Sequence, residues 1–283
     1  MNWGKTKTIF IICFLLLDVF LSYQLYERQM NNEKQLGETG TSEVVNLGNI
    51  PQPTAPTVDQ DVYTLNGSYL NFEKDDDAKE KLKAIVGTKK SSNISLQTDA
   101  GGMVLHASFK KPIDVPANKN ERQDFLAAYV YNGQDYKYWS FDKTKGVMRF
   151  IQQFKGNTVF SVDNGHLNTL DLTVKNGKIT GYVQTYFDAE QEEKVKISIK
   201  YEEALKSLFD NNLLFTSEVK EIEDGELGYF NITSNSDANS RLLYVPAWYI
   251  KVKSDSGEKE FFIKVDTGQV IQPTSNDDTD GGE

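Results

Sequence analysis

Apolar residues form one long run near the start of the chain, "IFIICFLLLDVFLSYQLY" from Ile9, and beyond it they alternate with polar residues over short stretches. Residues 8–26 number nineteen, and as a helix they measure about 28 Å, close to the thickness of a bilayer's hydrocarbon core. The pattern therefore predicts a transmembrane helix over residues 8–26.

The charges that flank the run predict its orientation. Lys5 and Lys7 precede it and no acidic residue does, so the positive-inside rule places residues 1–7 in the cytoplasm and the rest of the chain outside. A cleaved signal peptide is the alternative, and it requires a shorter apolar core and a cleavage site between small residues. The sequence that follows, "SYQLYERQMNNEK", offers no such site. We therefore expect a single-pass protein of the cell membrane with an extracytoplasmic body.

Two polar segments border this body. Residues 27–57 are polar and carry Pro51, Pro53 and Pro56 near their end, which predicts an extended linker. Residues 273–283 contain four acidic side chains and no basic one, which predicts a disordered acidic tail.

A first module is predicted over residues 58–155. "EKDDDAKEKLKAIVG" has an acidic start and a glycine end, as a helix does. Strands are predicted at "NISLQT", "MVLHASF" and "FLAAYVY", and "YKYWSFDKTKGVMRFIQQF" predicts two strands around a turn from Asp142 to Gly146.

A second module is predicted over residues 156–272. "LDLTVKNGKITGYVQTYF" indicates a hairpin with a type I′ turn at Asn176-Gly177, and "KVKISI" indicates another strand. "KYEEALKSLFDNNLL" predicts an amphipathic helix. "AWYIKVKSDSGEKEFFIKVDTGQVI" predicts two strands around Ser256-Gly257 and a turn at Asp266 to Gly268. The expected fold class is thus α+β: one N-terminal transmembrane helix, then an exported body of two small modules, each an antiparallel sheet with a helix.

Composition and charge limit the classes of function that the chain can have. The chain is 39% hydrophobic and 25% charged, as globular proteins are, and its net charge of -10 disfavours nucleic-acid binding. Its one cysteine, Cys13, lies in the predicted membrane helix, so the body has neither a disulfide nor a thiol nucleophile.

Catalytic motifs are missing from the sequence. His106 and His166 are the only histidines, and neither has partners at a spacing typical of a metal or catalytic site. A structural role is the simpler interpretation of both, and we expect no enzyme activity, metal or cofactor. Trp139 and Trp248 belong to strands, where such residues usually pack in a core and less often bind a ligand.

The first 25 residues, "MNWGKTKTIFIICFLLLDVFLSYQL", resemble the start of the YycI family, also called WalI. The layout of one span, a linker and an exported α+β body with "GQVI" near its end is also similar to that family. "AWYIKV" and "FFIKVDTGQVI" in the C-terminal half resemble a PepSY-type module.

The resemblance implies a function that no motif reveals. Members of the family are regulators in Gram-positive bacteria that act with YycH on the sensor histidine kinase WalK (YycG), which controls cell-wall metabolism by two-component signal transduction. It implies contacts between membrane helices and between the exported bodies of YycI and YycH, and it leaves open whether the kinase is activated or inhibited. Two alternatives remain: a tethered extracytoplasmic sensor that binds a ligand, and a wall-associated enzyme.

A carboxylate inside the predicted membrane helix then becomes interpretable. Asp18 at the centre of a lone helix costs about 2.5–3.5 kcal/mol on insertion scales. Asp18, Ser22 and Tyr26 follow one another at four-residue spacing and share a face. We predict that this face, together with Phe14 and Leu25, contacts the kinase's helices, where a partner makes the polar group tolerable. The alternative is an Asp18 that is protonated, or hydrated through a local bilayer defect.

Overall fold

The computed structural model describes residues 50–58, 61–87, 93–160, 168–233 and 241–271, together with Lys7, Phe14 and Leu17. Those three N-terminal residues are helical, and the Phe14 and Leu17 side chains are 66% and 53% exposed. Among the described residues, no helix is long and apolar enough to cross a bilayer. The rest of the predicted membrane helix lies outside the described residues, as does the predicted tail.

The described body is α+β, as predicted. Its helices are α1 (Asp76–Gly87), α2 (Lys119–Tyr129) and α3 (Tyr201–Asp210), with 3-10 turns at Ala100–Gly102 and Gly133–Asp135. Its strands are β1 (Val62–Tyr69), β2 (Ile94–Asp99), β3 (Val104–Asp114), β4 (Tyr136–Asp142), β5 (Val147–Phe154), β6 (Asn157–Phe160), β7 (Thr169–Lys175), β8 (Lys178–Gln184), β9 (Phe187–Val195), β10 (Val219–Asn231), β11 (Leu242–Ser254), β12 (Gly257–Lys264) and β13 (Val270–Ile271).

The first sheet has the order β2-β3-β8-β7-β5-β4, and all of its pairs are antiparallel. Helices α1 and α2 pack on it through one core cluster, to which they contribute Ala78, Phe125 and Leu126. Phe109 of β3 contacts Phe125 and Tyr129 of α2 edge to ring. Apolar side chains at helical spacing thus meet apolar side chains at strand spacing, and their burial stabilises the unit.

The second sheet has the order β13-β12-β11-β10-β6, and β1 pairs with both β11 and β9. Helix α3 lies on it with the face that the sequence predicts: Ala204, Leu205, Leu208 and Phe209. Trp248 is buried beneath this helix, and its Nε1 donates to the Ile199 carbonyl at 2.8 Å. "KVKISI" forms a strand only as far as Val195, after which the Ser198 and Ile199 N–H groups donate to the Val265 carbonyl.

Strand β5 belongs to both sheets. Val147 to Ile151 pair with β7 in the first sheet, whereas Gln153 and Phe154 pair with β6 in the second. Strand β6 in turn lies parallel to β10. The two sheets are therefore one continuous hydrogen-bonded structure.

The sheets do not follow the predicted division at residues 58–155 and 156–272. The β7–β8 hairpin has the predicted turn, with positive φ at Asn176 (51°) and Gly177 (72°) as type I′ requires, but it inserts between β3 and β5 of the first sheet. Strand β1, from the first predicted module, pairs with β9 and β11 in the second sheet. The turn of a hairpin is determined by the residues of the turn itself. The strands that flank the hairpin in a sheet are determined by residues far away in the sequence.

"FLAAYVY" was predicted as a strand, and this is wrong. Most of it is the C-terminal half of α2. The Asn118 side chain accepts from the Glu121 N–H at 3.0 Å, and the Glu121 carboxylate accepts from the Ala117 N–H at 2.8 Å. The Asn118 cap satisfies a free N–H group of the first helical turn, and the Glu121–Ala117 hydrogen bond holds the residue before the cap. Together they favour a helix over the strand that the aromatic residues indicate.

The end of the predicted linker is packed against the body. Ile50 and Ala55 of the linker, and the adjacent Val58, contact the hydrophobic cluster that α3 forms with the second sheet. The buried Ile222 of β10 donates its N–H to the Pro51 carbonyl at 2.9 Å. The chain is thus fixed to the second sheet eleven residues before β1 begins at Val62.

Candidate functional site: an apolar groove beside an edge strand

A groove of about 450 Å³ lies between helix α1 and strand β2. We call it the α1–β2 groove. Its apolar lining consists of Phe72, Leu82, Val86, Leu96 and Leu105. Val86 is 42% exposed, so apolar surface reaches solvent at the mouth. This volume lies in the range typical of binding pockets.

The acidic start of helix α1 determines the residue at which the helix begins. The Asp75 carboxylate accepts from the Ala78 N–H at 2.7 Å and caps the helix. Ala78, Leu82 and Ile85 face the core, at spacings of four and three residues. One step around the helix, Lys79, Lys83 and Val86 follow the same spacing and line the groove.

Strand β2 forms the other wall, and in the described residues it pairs only with β3. The Lys110 N–H donates to the Asn93 carbonyl at 2.8 Å, so Asn93 forms a hydrogen-bonded pair with β3. Because antiparallel pairs alternate, the N–H and C=O groups of Ile94, Leu96 and Thr98 point away from β3. The side chains of these three residues lie on the more buried face of β2. Among the described residues, the wall of the groove is thus also an unpaired strand edge.

Charges at the rim of the groove are mainly basic. Lys79 contacts Asp76 at 2.8 Å, and this contact lowers the pKa of the Asp76 carboxyl. Lys83 is exposed. At one end, Thr98 donates a hydrogen bond to Glu73. Lys79 and Glu73 thus have partners. Lys83 forms no ion pair with a described residue, so it is the charge most available to an incoming molecule.

A second cavity of about 670 Å³ lies between α3 and the turn at residues 267–270. Its charged groups have internal partners. Lys206 contacts Asp210 at 3.0 Å, and Glu203 accepts from the Lys200 N–H at 2.8 Å as the helix cap. These contacts show that the charged residues stabilise the helix, and they do not indicate a ligand.

Buried polar side chains fix the junction of the two sheets. The Gln184 Nε2 donates to the Tyr131 carbonyl at 2.8 Å, and the Asn168 Nδ2 donates to the Tyr244 hydroxyl at 2.6 Å. Burial raises the pKa of Tyr136, whose hydroxyl accepts from Gln184 at 3.1 Å. Hydrogen-bonded groups of this kind rigidify a core. We interpret this junction as structural.

A family model described as YycI protein matches residues 28–265. The chain belongs to the YycI family. The matched region excludes the first 25 residues, so it is evidence independent of the N-terminal resemblance. Membership points to a regulator of the WalK/YycG system.

Two solved structures are similar to this YycI-family chain. One is an uncharacterized protein from Eubacterium rectale, with 12% identity, a TM-score of 0.48, and coverage of 75% of this chain and 86% of that one. The other is the Bacillus megaterium YpeB C-terminal domain, with 13% identity, a TM-score of 0.35, and coverage of 72% and 98%. No curated protein matches the chain. The PepSY-like character of the second module stays a prediction.

The residues predicted for the membrane contact are only partly described. Phe14 is helical and exposed, whereas Asp18, Ser22, Leu25 and Tyr26 lie outside the described residues. Of the lysines predicted to set topology, Lys7 is described as helical and exposed, and Lys5 lies outside the described residues.

The aromatic and histidine candidates of the body lie in its strands. Trp139 packs against Phe160 and Tyr249 at ring distances of 5.7 and 5.5 Å. His106 is half-buried near the start of β3, opposite Gln97 and Val183, and His166 lies outside the described residues. In the described part of the chain, no three His, Cys, Asp or Glu side chains are grouped closely enough to hold a metal.

Sequence reasoning missed the α1–β2 groove. Its one local signal is that Lys79, Lys83 and Val86 repeat at helical spacing beside the core face of α1. That β2 forms an edge follows from the order of the sheet, which is a long-range property.

Proposed function

We propose that this chain is a non-enzymatic regulator of the sensor histidine kinase WalK (YycG), held in the membrane by one N-terminal helix with its body outside the cell. The observation that carries the proposal is the YycI match, because it extends over residues 28–265 and thus over nearly all of the body. The direction of regulation is left to experiment.

Two contacts are proposed. The first joins the membrane helix to those of the kinase through the face with Asp18, Ser22 and Tyr26, flanked by Phe14 and Leu25. Burying Asp18 against another helix reduces its insertion cost. The second joins the exported body to a YycH-like protein.

The geometry of the body supports a binding role. Its exposed apolar surface includes Val86 in the α1–β2 groove, beside an open strand edge. Exposed apolar patches and strand edges are features that partner proteins use.

Co-purification tests this proposal directly. The full-length tagged chain is expressed in membranes with the kinase and a YycH-like protein, crosslinked and purified. We expect both proteins to be recovered, and we expect kinase autophosphorylation to change when the chain is omitted. Recovery of neither protein, or hydrolysis of cell-wall fragments by the purified chain, contradicts the proposal.

A further inference from the structure

We propose that the α1–β2 groove docks an extended strand of the exported partner, in which apolar side chains alternate with polar ones and the side that faces α1 also carries a carboxylate. The inference rests on the proposed function and adds to it a surface, a geometry and a ligand chemistry.

The backbone of β2 supplies the first argument. Ile94, Leu96 and Thr98 direct their N–H and C=O groups outward, as derived from the Lys110–Asn93 hydrogen bond. An added strand forms a ladder with these groups while the β2–β3 pairing stays intact. Strand β2 has six residues, so a partner segment of about six residues covers it.

The side chains that line the groove supply the second argument. A strand added to β2 places every second side chain on the face where α1 lies. There it meets Leu82, Val86 and Leu96, which an apolar side chain covers. The alternate side chains of the strand point to the opposite face, where Ser95 and Gln97 of β2 are exposed. The docked strand is therefore apolar at every second position only.

Charge supplies the third argument. Lys79 and Lys83 stand on the rim, and Asp76 already contacts Lys79. Lys83 thus attracts a carboxylate on the side of the docked strand that faces α1. A second copy of this chain is disfavoured as the occupant, because each copy carries a net charge of -10. The chain's own residues 272–283 are acidic but include no Val, Ile, Leu or aromatic residue to fill an apolar groove.

The test uses the full-length chain in membranes that also contain a YycH-like protein. A photo-crosslinking amino acid, benzoylphenylalanine, replaces Val86 in one variant and Lys143 in another. Lys143 is exposed in the turn between β4 and β5, so it is a matched position away from the groove. We expect a crosslink to the partner from position 86 and none from position 143. Mass spectrometry should place the adduct on a segment in which apolar and polar residues alternate and which includes an acidic residue.

Variants that change the charge or polarity of the groove test the same surface through their affinity for the YycH-like protein. Lys83→Glu should weaken binding about 3- to 10-fold, with a weaker salt dependence, because an attraction becomes a repulsion. Val86→Glu should weaken it by about tenfold or more, because a carboxylate enters an apolar contact. Lys143→Glu, the same charge change outside the groove, should bind as wild type. Circular dichroism melts establish that each variant is folded.

The outcomes separate the two proposals. If the Lys83→Glu and Val86→Glu variants bind the partner as well as wild type does, the groove is not the docking site and the proposed function stands. A crosslink from position 86 to a second copy of this chain also overturns the inference. If wild type binds no YycH-like protein, the proposed function itself fails.

Discussion

Gln152 pairs with the backbone of Phe187 as a neighbouring strand would. Its Nε2 donates to the Phe187 carbonyl at 2.7 Å, and the Phe187 N–H donates to its Oε1 at 2.8 Å. Gln152 lies near the end of β5, and Phe187 is the first residue of β9. One buried side chain thus joins the strand shared by both sheets to the start of β9, which among the described residues pairs only with β1.

Gln152→Ala should strongly destabilise the body. It leaves both backbone groups of Phe187 buried without these partners, and each such loss costs about 1–3 kcal/mol. We expect the free energy of unfolding of a soluble 50–271 fragment to fall by about 2–4 kcal/mol. Urea denaturation measures it. The adjacent Gln153→Ala is the control, since the Gln153 side chain donates to the exposed Gly156 carbonyl. A loss as large as that of Gln152→Ala would refute the assignment.

Residues 50–58 should contribute to stability. A fragment that begins at residue 59 loses the contacts of Ile50, Ala55 and Val58 and removes the acceptor for the Ile222 N–H. Partial burial of these side chains and the lost hydrogen bond together amount to about 2–4 kcal/mol. Urea denaturation should show that difference between fragments 59–271 and 50–271. Thr54→Ala, at an exposed position, should be neutral, and equal stability of the two fragments would show that the segment is not anchored.

Alkali should unfold the body in part through Tyr201. Burial raises the pKa of Tyr201 to about 12, and the negative charge of Asp224 adds to the effect. The unfolded chain ionises this phenol near pH 10. Ionisation of Tyr201 therefore leaves the free energy of unfolding unchanged below pH 10 and lowers it as pH rises from about 10 to about 12. Denaturation at several pH values, with tyrosinate absorbance, follows the loss.

Tyr201→Phe separates this contribution from general alkaline effects. Among the described residues, the buried Tyr201 hydroxyl has no hydrogen-bond partner. Its removal should therefore raise the free energy of unfolding at pH 8 by about 1 kcal/mol and flatten the alkaline decline. Tyr138→Phe, at a side chain 39% exposed, should do neither, and an unchanged alkaline slope in Tyr201→Phe would exclude Tyr201 as a source.

Asp18→Leu should weaken association with the kinase's membrane helices several-fold. Polar contacts between such helices average under about 1 kcal/mol and reach about 2. Ser22→Leu should act in the same direction but less, and Leu16→Ala, on another face, should do little. A two-hybrid or energy-transfer assay at matched expression measures the effect. Wild-type association of Asp18→Leu alongside weakened Leu16→Ala would identify a different face.

Protease added to intact protoplasts should degrade the body, because Lys5 and Lys7 are expected to keep the N-terminus inside. A short cytoplasmic and membrane fragment should remain. Complete protection of the body would reverse the proposed topology.

The sequence predicts elements whose signals are local. Asn176-Gly177 supports the β7–β8 hairpin, and the apolar spacing of Ala204, Leu205 and Leu208 supports α3; both are confirmed. Helix α2 had a local signal too, in Asn118 and Glu121, which the aromatic residues after it obscured.

What depends on distant partners was not predicted. Strand β10 carries several charges and two glycines, yet it is the long strand between β11 and β6. A Cβ at Gly228 would lie 2.5 Å from the Phe160 ring, so this glycine permits the close approach of β6. That requirement becomes visible only once β6 and β10 are known to pair. The α1–β2 groove was missed for the same reason, since the sequence does not show which strand ends a sheet.

The continuity of β5 determines how a partner's influence can travel. A displacement imposed at β2 passes through the ladders of β3, β8 and β7 to β5, and from there through β6 to β10, where Pro51 attaches the linker. Since each step is a row of backbone hydrogen bonds, we expect the body to tilt or rotate as one block. We therefore expect that binding of a partner changes the orientation of the whole body, which acts on the membrane as a rigid lever. We do not expect two lobes of the body to close on each other.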